Sequence, residues 1–268
     1  MTRETNSAST NALRNSAQAD AEVVLRHARA LQTLRSFARP DTVLFDLDGT
    51  LIDSVEDIHV AVNALLAELG FATRTRDEVA MWVGNGARML VERAMSGRLE
   101  GFAEREDARA LHSAADAAMP RFRAIYEAIC VDHTVPLDGA HASLEMVRAC
   151  GLTAAIVTNK PLAPTERIVD ALGWRPFVSV VLGGDSLPVR KPNPAPLTEA
   201  MRRLGARHAW MVGDSANDVG AARAASIPSI VVRGGYNHGR PVEELDPAPE
   251  VIVDTLLEFP ALLRAITQ

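Results

Sequence analysis

The sequence of 268 residues predicts an α/β fold, a Rossmann-like parallel sheet into which a block of helices is inserted. From Pro136 onward, short apolar segments alternate with helical patterns, as in parallel sheets that are covered on both faces. Between about Ser54 and Asp132, the patterns are helical and no convincing strand is found. Apolar residues make up 47% and charged residues 23%, which is typical of globular proteins and excludes a wholly disordered or collagen-like chain.

The first 40 residues are expected to form an extension outside this fold. Residues 1–20 are rich in Ser, Thr, Asn and Ala, and this composition predicts partial disorder. Between Ala21 and Phe37, apolar residues recur every three or four positions, which predicts a helix packed on the body or on a partner subunit. A transit peptide is a second interpretation, but the three acidic residues of the extension count against it.

The predicted elements of the main body follow in chain order. A first strand covers Thr42–Phe45, and an amphipathic helix after it ends near Gly70. The later strands are predicted at Leu152–Thr158, Phe177–Leu182, Ala209–Val212, Ser229–Val232 and Val251–Val253. The helices between them are predicted at Gly139–Cys150, Ala163–Leu172, Pro194–Leu204 and Ala216–Ala225. This order divides the chain into a core of residues 41–54 and 134–268 and a helical insertion of residues 55–133.

Charge and composition exclude several classes of function. The net charge is −6, and the first 40 residues are themselves basic, so the main body is acidic and no nucleic-acid surface is expected. No uncharged stretch approaches the ~20 residues that a membrane span needs, and no secretory signal is recognisable. Cys130 and Cys150 are expected to be free thiols, which suits a cytoplasmic protein. We expect a monomer or homodimer.

Polar groups of complementary kinds follow four strands or the loops beyond them. Catalytic groups of such sheets gather at the carboxyl ends of the strands. Carboxylates crowded together would repel one another without a cation, and oxygen ligands beside a substrate phosphate favour Mg²⁺. These groups are Asp46 and Asp48, then Thr158, Asn159 and Lys160, then Lys191, and finally Asp214 and Asp218.

Taken singly, these residues have simpler interpretations. The Asp-x-Asp-Gly-Thr segment alone is compatible with a turn, and Lys191 alone with a solvated surface lysine. Lys160 is interpreted as a surface or rim residue and His238 as an ordinary loop residue. The three tryptophans are interpreted as packing residues. The order and spacing of the four segments together are what favour a phosphate site.

With these four segments in this order, the sequence resembles the haloacid dehalogenase-like hydrolase superfamily. All four signature motifs of that superfamily are present, and the resemblance covers about residues 42–257. They are Val43-Leu44-Phe45-Asp46-Leu47-Asp48-Gly49-Thr50-Leu51, Ile156-Val157-Thr158-Asn159-Lys160, Lys191-Pro192 and Gly213-Asp214-Ser215-Ala216-Asn217-Asp218. The helical insertion resembles the α-helical cap of that superfamily. The segments Trp82-Val83-Gly84-Asn85-Gly86-Ala87 and Gly235-Tyr236-Asn237-His238-Gly239 resemble phosphoglycolate phosphatases in particular.

The resemblance implies hydrolysis of a phosphate monoester through an aspartyl-phosphate. Asp46 would be the nucleophile, and Asp48 would first protonate the leaving group and then activate water. Thr158, Asn159 and Lys191 would bind the phosphoryl group. Mg²⁺ would be held by Asp46, by the backbone carbonyl of Asp48 and by Asp214, with Asp218 supporting the metal directly or through water.

The cap would select the substrate, a small phosphorylated metabolite. The permissive loop Gly84-Asn85-Gly86 could offer backbone N–H groups to a substrate carboxylate, and Arg88 follows within reach of such an anion. The expected substrate is 2-phosphoglycolate. The alternatives are a phosphatase for a sugar phosphate, pyrophosphate or a nucleotide, a β-phosphoglucomutase-like enzyme, and a binding module without turnover.

Overall fold

The computed structural model describes residues 23–102 and 107–268. The described residues form a six-stranded sheet in the order β5-β4-β1-β6-β7-β8, with all neighbours parallel, and a separate two-stranded pair, β2-β3. The strands are β1 (Thr42–Phe45), β2 (Ile52–Asp53), β3 (Val135–Pro136), β4 (Thr153–Val157), β5 (Val180–Leu182), β6 (Ala209–Gly213), β7 (Ser229–Val232) and β8 (Val251–Val253). The predicted α/β class with a parallel sheet is confirmed.

Helices follow the strands in the alternating order that the sequence predicts. The first helix, α1, is described over residues 23–34. The others are α2 (Val55–Glu68), α3 (Arg76–Trp82), α4 (Ala87–Ser96), α5 (Ala108–Ile129), α6 (Ala140–Ala149), α7 (Leu162–Ala171), α8 (Ala195–Leu204), α9 (Ala216–Ala224) and α10 (Phe259–Thr267). No described helix is long and apolar enough to cross a membrane.

Strand β1 lies in the centre of the sheet and is buried along its whole length. Its last residue, Phe45, is in register with Ile156 of β4 on one side and with Val212 of β6 on the other. Because these three strands are parallel, the segments that follow them leave the sheet at the same edge. The register therefore brings three of the four motifs together.

Two strands are shorter than the sequence predicts, since β4 loses one residue at each end of the predicted Leu152–Thr158 and β5 loses three residues at its beginning. β5 begins at Val180, whereas the apolar pattern begins at Phe177. The backbone N–H of Phe177 instead donates to the carbonyl of Trp174 at 2.9 Å, which closes a turn after α7. Apolar residues at a turn satisfy the same sequence pattern as a buried strand, so periodicity alone could not place this boundary.

Helices α2 to α5 lie within the segment that is predicted as the cap. Two short strands connect it to the core, with Ile52 paired to Pro136 and Asp53 to Val135. The buried carboxylate of Asp57 accepts hydrogen bonds from the backbone N–H groups of His133 and Thr134, at 2.9 Å each. The beginning and the end of the helical segment are thereby tied together beside this connection. The division into core and cap stays a prediction.

The described part of α1 packs on the core. Ala30 and Leu34 are buried, and Arg26 pairs with Asp254 at 2.5 Å and with Glu258 at 3.1 Å. This packing agrees with the first interpretation of the helical pattern in the extension. The disorder predicted for residues 1–20 lies outside the described residues.

Candidate active site

The acidic side chains at the edge of the sheet form one buried cluster. One carboxylate oxygen from each of Asp46, Asp214 and Asp218 lies within 4.8 Å of the others, and all three residues are buried. Asp46 directly continues β1, since its backbone N–H donates to the carbonyl of Val212 at 2.9 Å. The structure thus brings together carboxylates that are separated by up to 172 positions in the sequence.

Lys191 supplies positive charge to this cluster. Its ammonium lies 3.0 Å from Oδ1 of Asp46 and 2.7 Å from Oδ1 of Asp218, and its side chain is almost fully buried. Burial alone would lower the pKa of Lys191, but Asp218 and Asp46 raise it above the ordinary value. The lysine therefore stays charged, and the surface interpretation of Lys191 is excluded.

One ammonium cannot balance three buried carboxylates. Burial raises the pKa of Asp46 to about 7, with Lys191 opposing the shift and Asp218 adding to it. Burial, Asp218 and Asp46 likewise raise the pKa of Asp214 well above its usual value. A divalent cation beside these oxygens would remove the excess negative charge, so the donor set fits a hard metal ion such as Mg²⁺.

The two oxygens of Asp218 are already used within the protein. Besides the bond from Lys191 to Oδ1, Oδ2 accepts from the backbone N–H groups of Asp214 and Ser215, at 3.2 and 3.1 Å, and from the Ser215 hydroxyl at 2.8 Å. Asp214 in turn accepts from the Thr50 hydroxyl at 2.9 Å and from the backbone N–H of Tyr236 at 2.5 Å. Asp218 therefore positions both Lys191 and the segment that carries Asp214.

Asp48 lies in a different environment from Asp46. Its Oδ1 accepts hydrogen bonds from the Ser54 hydroxyl at 2.6 Å and from the Lys160 ammonium at 2.8 Å. The interpretation of Lys160 as a rim residue is wrong, because only 5% of this residue is exposed. Burial opposes its charge, but Asp48 and Tyr126 raise the pKa of Lys160 overall. Sequence reasoning named Lys160 among the polar groups at the strand ends but missed its position beside Asp48.

Thr158 and Asn159 stand between the cluster and the cap. Both line the same cavity as Asp46 and Asp48. The Thr158 hydroxyl accepts from the backbone N–H of Lys160 at 3.2 Å, and its own hydrogen can still be donated. The Asn159 amide donates to the carbonyls of Gly84 and Lys191, at 2.9 and 3.0 Å. Asn159 therefore also joins the core to the predicted cap loop.

The loop Gly84-Asn85-Gly86 is held against the core by side-chain donors. The carbonyl of Gly84 accepts from Asn217 at 3.3 Å as well as from Asn159, and the carbonyl of Asn85 accepts from Arg190 at 3.1 Å. Gly84 and Gly86 line the cavity. Predicted contacts between this loop and a substrate anion stay a prediction, since the contacts observed here are to the core.

Arg88 does not reach the cavity that holds the catalytic candidates. Its guanidinium pairs with Glu92 at 2.7 Å and with Asp116, and it lines a neighbouring cavity. The structure pairs Arg88 with carboxylates of its own chain, and its contact with a substrate anion stays a prediction. The guanidinium of Arg88 points away from the cavity because Glu92, one helical turn further along α4, forms an ion pair with it.

The cavity itself is small and lies between the edge of the sheet and the predicted cap. Its volume of about 40 Å³ is room for roughly three waters, since one water needs about 10–15 Å³. The side formed by the sheet edge carries carboxylates and Thr158, and the side formed by the predicted cap is largely apolar. The apolar residues are Ile58, Val83, Ala87, Leu90 and Phe122.

Comparison with known proteins identifies the family of this chain. A family model described as haloacid dehalogenase-like hydrolase matches residues 43–232, which is most of the chain. The chain belongs to the haloacid dehalogenase-like hydrolase family. The predicted family is thereby confirmed, and the matched region contains all four of its motifs and the helices between the first two.

Several relatives that match most of this chain are named phosphoglycolate phosphatases. The phosphoglycolate phosphatase of Psychrobacter arcticus is 40% identical over 227 residues, which covers 82% of this chain and 97% of that protein. Phosphoglycolate phosphatase 1 of Pseudomonas aeruginosa is 39% identical, with coverage of 82% and 78%. The crystal structure of a predicted phosphoglycolate phosphatase from Haemophilus somnus superposes with a TM-score of 0.72 at 29% identity, with coverage of 86% and 99%. These likenesses confirm that the chain is a phosphatase of the haloacid dehalogenase-like family.

Several residues of this haloacid dehalogenase-like site were not predicted from the sequence. Thr50 could have been found, because it belongs to the first motif and its hydroxyl faces Asp214. Asn217 also lies inside a motif. Ser54 and Tyr126 carry no comparable signal, since each becomes part of the site only through the fold. Tyr126 reaches Lys160 from the last turn of α5, a long helix of the predicted cap segment.

Proposed function

We propose that this phosphatase hydrolyses 2-phosphoglycolate to glycolate and phosphate through an aspartyl-phosphate at Asp46. The observation that carries the proposal is the pair of carboxylates in one small cavity with different partners, Asp46 beside Lys191 and Asp48 beside Lys160. Such a difference suits two different roles in one reaction. The names of the relatives support the choice of substrate.

In the first step, a carboxylate oxygen of Asp46 attacks phosphorus and the bond from phosphorus to the ester oxygen breaks. The bond from Leu47 N–H to Oδ1 of Asp46, at 2.7 Å, orients the nucleophile. Lys191, at 3.0 Å, compensates the negative charge that gathers around the phosphoryl group. Thr158 would donate its hydroxyl hydrogen to a phosphoryl oxygen, with the backbone N–H of Asn159 as a further donor.

Asp48 would carry the proton in both halves of the reaction. As a carboxylic acid, it gives its proton to the departing glycolate oxygen. As the resulting carboxylate, it takes a proton from water, which attacks phosphorus, and the bond to Asp46 breaks to release phosphate. The bonds from Ser54 and Lys160 to Oδ1 of Asp48 hold this carboxyl in place. Its second oxygen is the one left to face the ester.

The proposed cofactor is Mg²⁺. Asp46 and Asp214 are the carboxylates that would hold it, together with the backbone carbonyl of Asp48, and Asp218 would support it by fixing the segment of Asp214. When bound, the ion would neutralise phosphoryl charge and favour the ionised form of Asp46. The location that we propose is the cytoplasm.

The size of the cavity favours a small substrate over a sugar phosphate or a nucleotide. With a free volume of about 40 Å³, the cavity needs the least widening for an ester with a two-carbon leaving group, and the apolar side formed by the predicted cap would exclude water from the reaction. A larger ester would require the cap to move away from the core. The bonds from Asn159 and Asn217 to Gly84 oppose that movement.

Initial rates of phosphate release across a substrate panel test this proposal. The panel contains 2-phosphoglycolate, glucose 1-phosphate, glucose 6-phosphate, pyrophosphate, a nucleoside monophosphate and an aryl phosphate. We expect the highest kcat/KM for 2-phosphoglycolate. Faster hydrolysis of another ester would replace the substrate and keep the chemistry. Isomerisation of a glucose phosphate with little phosphate release would indicate a mutase, and Mg²⁺ binding without turnover would indicate a binding module.

A further inference from the structure

The catalytic cavity is poor in positive charge where a substrate would need it. Asp46, Asp48 and Asp214 all line it, and among the described residues that line it Lys160 is the one cationic side chain. A substrate with a second anionic group would be repelled by these carboxylates unless a cation faced that group. Lys160 is placed for this, since its ammonium is 2.8 Å from Asp48, next to the position of the ester oxygen.

A second group at the same place lacks a partner. The hydroxyl of Tyr126 is buried and forms no hydrogen bond of good geometry with a described residue, although the Lys160 ammonium lies near it. Tyr126 lines the cavity, and its ring lies 4.8 Å from the Lys160 ammonium. A buried hydroxyl without a partner is costly, so an oxygen of a bound molecule is the natural partner for it.

We infer that Lys160 and Tyr126 together bind the carboxylate of the substrate, an inference that rests on the proposed function. Three donors are available on the ammonium, and Asp48 takes one of them at 2.8 Å. The carboxylate of 2-phosphoglycolate is two bonds from its ester oxygen. When Asp48 contacts the ester oxygen, the carboxylate therefore falls beside Lys160 and within reach of the Tyr126 hydroxyl.

This subsite is composed of both parts of the protein. Lys160 follows β4 in the predicted core, and Tyr126 belongs to α5 in the predicted cap. The Tyr126 ring is held by stacking on Phe122, with the ring centres 6.0 Å apart. The carboxylate would therefore be bound completely only with the cap closed, so recognition of the correct substrate would coincide with exclusion of water.

The test compares 2-phosphoglycolate with ethyl phosphate, which has the same alkyl ester and no carboxylate. The measured quantity is the ratio of kcat/KM for the two esters in wild type, Lys160→Met, Tyr126→Phe and the control Arg88→Gln. An effect that acts only through Asp48 changes both esters equally and cancels in this ratio. The Tyr126→Phe variant removes one oxygen and keeps the stacked ring, so it remains informative if Lys160→Met does not fold.

The ratio is expected to fall about 10–100-fold in Lys160→Met and about 2–10-fold in Tyr126→Phe, and to stay unchanged in Arg88→Gln. A wild-type ratio near one would contradict the proposed substrate and the subsite with it. A high wild-type ratio that Lys160→Met and Tyr126→Phe both keep would overturn the subsite alone. A fall of the ratio in Arg88→Gln instead would overturn the subsite and indicate that Arg88 contacts the substrate carboxylate.

Discussion

Gly49 allows the first motif to turn beneath Asp214, and its replacement by Ala gives a quantitative test of the site. Gly49 has a φ of +81°, in the left-handed region. A Cβ atom at this position would overlap Oδ2 of Asp214 and would lie 2.8 Å from the backbone nitrogen of Tyr236. The substitution therefore disturbs both the backbone and the carboxylate that we assign to Mg²⁺.

The size of the effect follows from two contributions. An L-residue in the left-handed region costs about 1–2 kcal/mol, and overpacking costs about 1–3 kcal/mol more. Gly49→Ala should thus lower the free energy of unfolding by about 2–5 kcal/mol. Gly70→Ala is the matched control, because Gly70 has a φ of +74° and its Cβ would meet no described atom within 4 Å. The control should lose only about 1–2 kcal/mol.

Urea unfolding gives the free energies of wild type and both variants, and calorimetric titration gives their affinities for Mg²⁺. The affinity should fall about tenfold or more in Gly49→Ala, since 1.4 kcal/mol of lost binding suffices for this, and it should stay unchanged in Gly70→Ala. Equal destabilisation of the two variants, together with equal Mg²⁺ affinity, would refute the steric reasoning and the assignment of Asp214.

Three further predictions concern contacts within the predicted cap segment or between it and the rest of the protein. Asp57→Asn should lower the free energy of unfolding, measured by chemical denaturation, by about 2–3 kcal/mol, because Asp57 accepts several hydrogen bonds from His133 and Thr134. An unchanged free energy would refute the claim that Asp57 connects the two ends of the cap segment. Asn217→Ala should raise KM about 2–10-fold by removing one bond to Gly84, and an unchanged KM would count against that contact in closure. Burial lowers the pKa of His238 below its ordinary value of 6.5, so the unfolded chain binds a proton more readily than the folded protein. The free energy of unfolding should therefore fall as the pH drops below about 6.5. Thermal melts at several pH values should show a weaker pH dependence in His238→Gln, and an unchanged dependence would contradict the role of His238.

The fold and the catalytic candidates of the core could be predicted because their signals are local. Each motif is a short segment at a strand end, and parallel register carries it to one edge of the sheet. The motifs and the parallel order of the strands were enough to predict that Asp46 and Asp214 lie side by side. The same register explains why Thr158 joins them, since β4 is the neighbour of β1.

Residues whose role depends on contacts between distant segments could not be predicted in this way. Lysine is a residue type that usually lies at the surface. The burial of Lys160 depends on its contacts with Asp48, 112 positions away, and with Tyr126 of the cap segment. Arg88 shows the reverse case. Its pairing with Glu92 at the i+4 position is visible in the sequence and argues against a free cation.

The central claim is that Asp46 is the nucleophile of a Mg²⁺-dependent phosphatase for 2-phosphoglycolate. The most direct test is the initial rate of phosphate release from this ester by wild type and Asp46→Asn, each with Mg²⁺ and with a chelator. We predict rapid release only by wild type with Mg²⁺, and a loss of at least about 1,000-fold in Asp46→Asn, since the nucleophile is removed. Release by Asp46→Asn at a rate similar to wild type would contradict the claim.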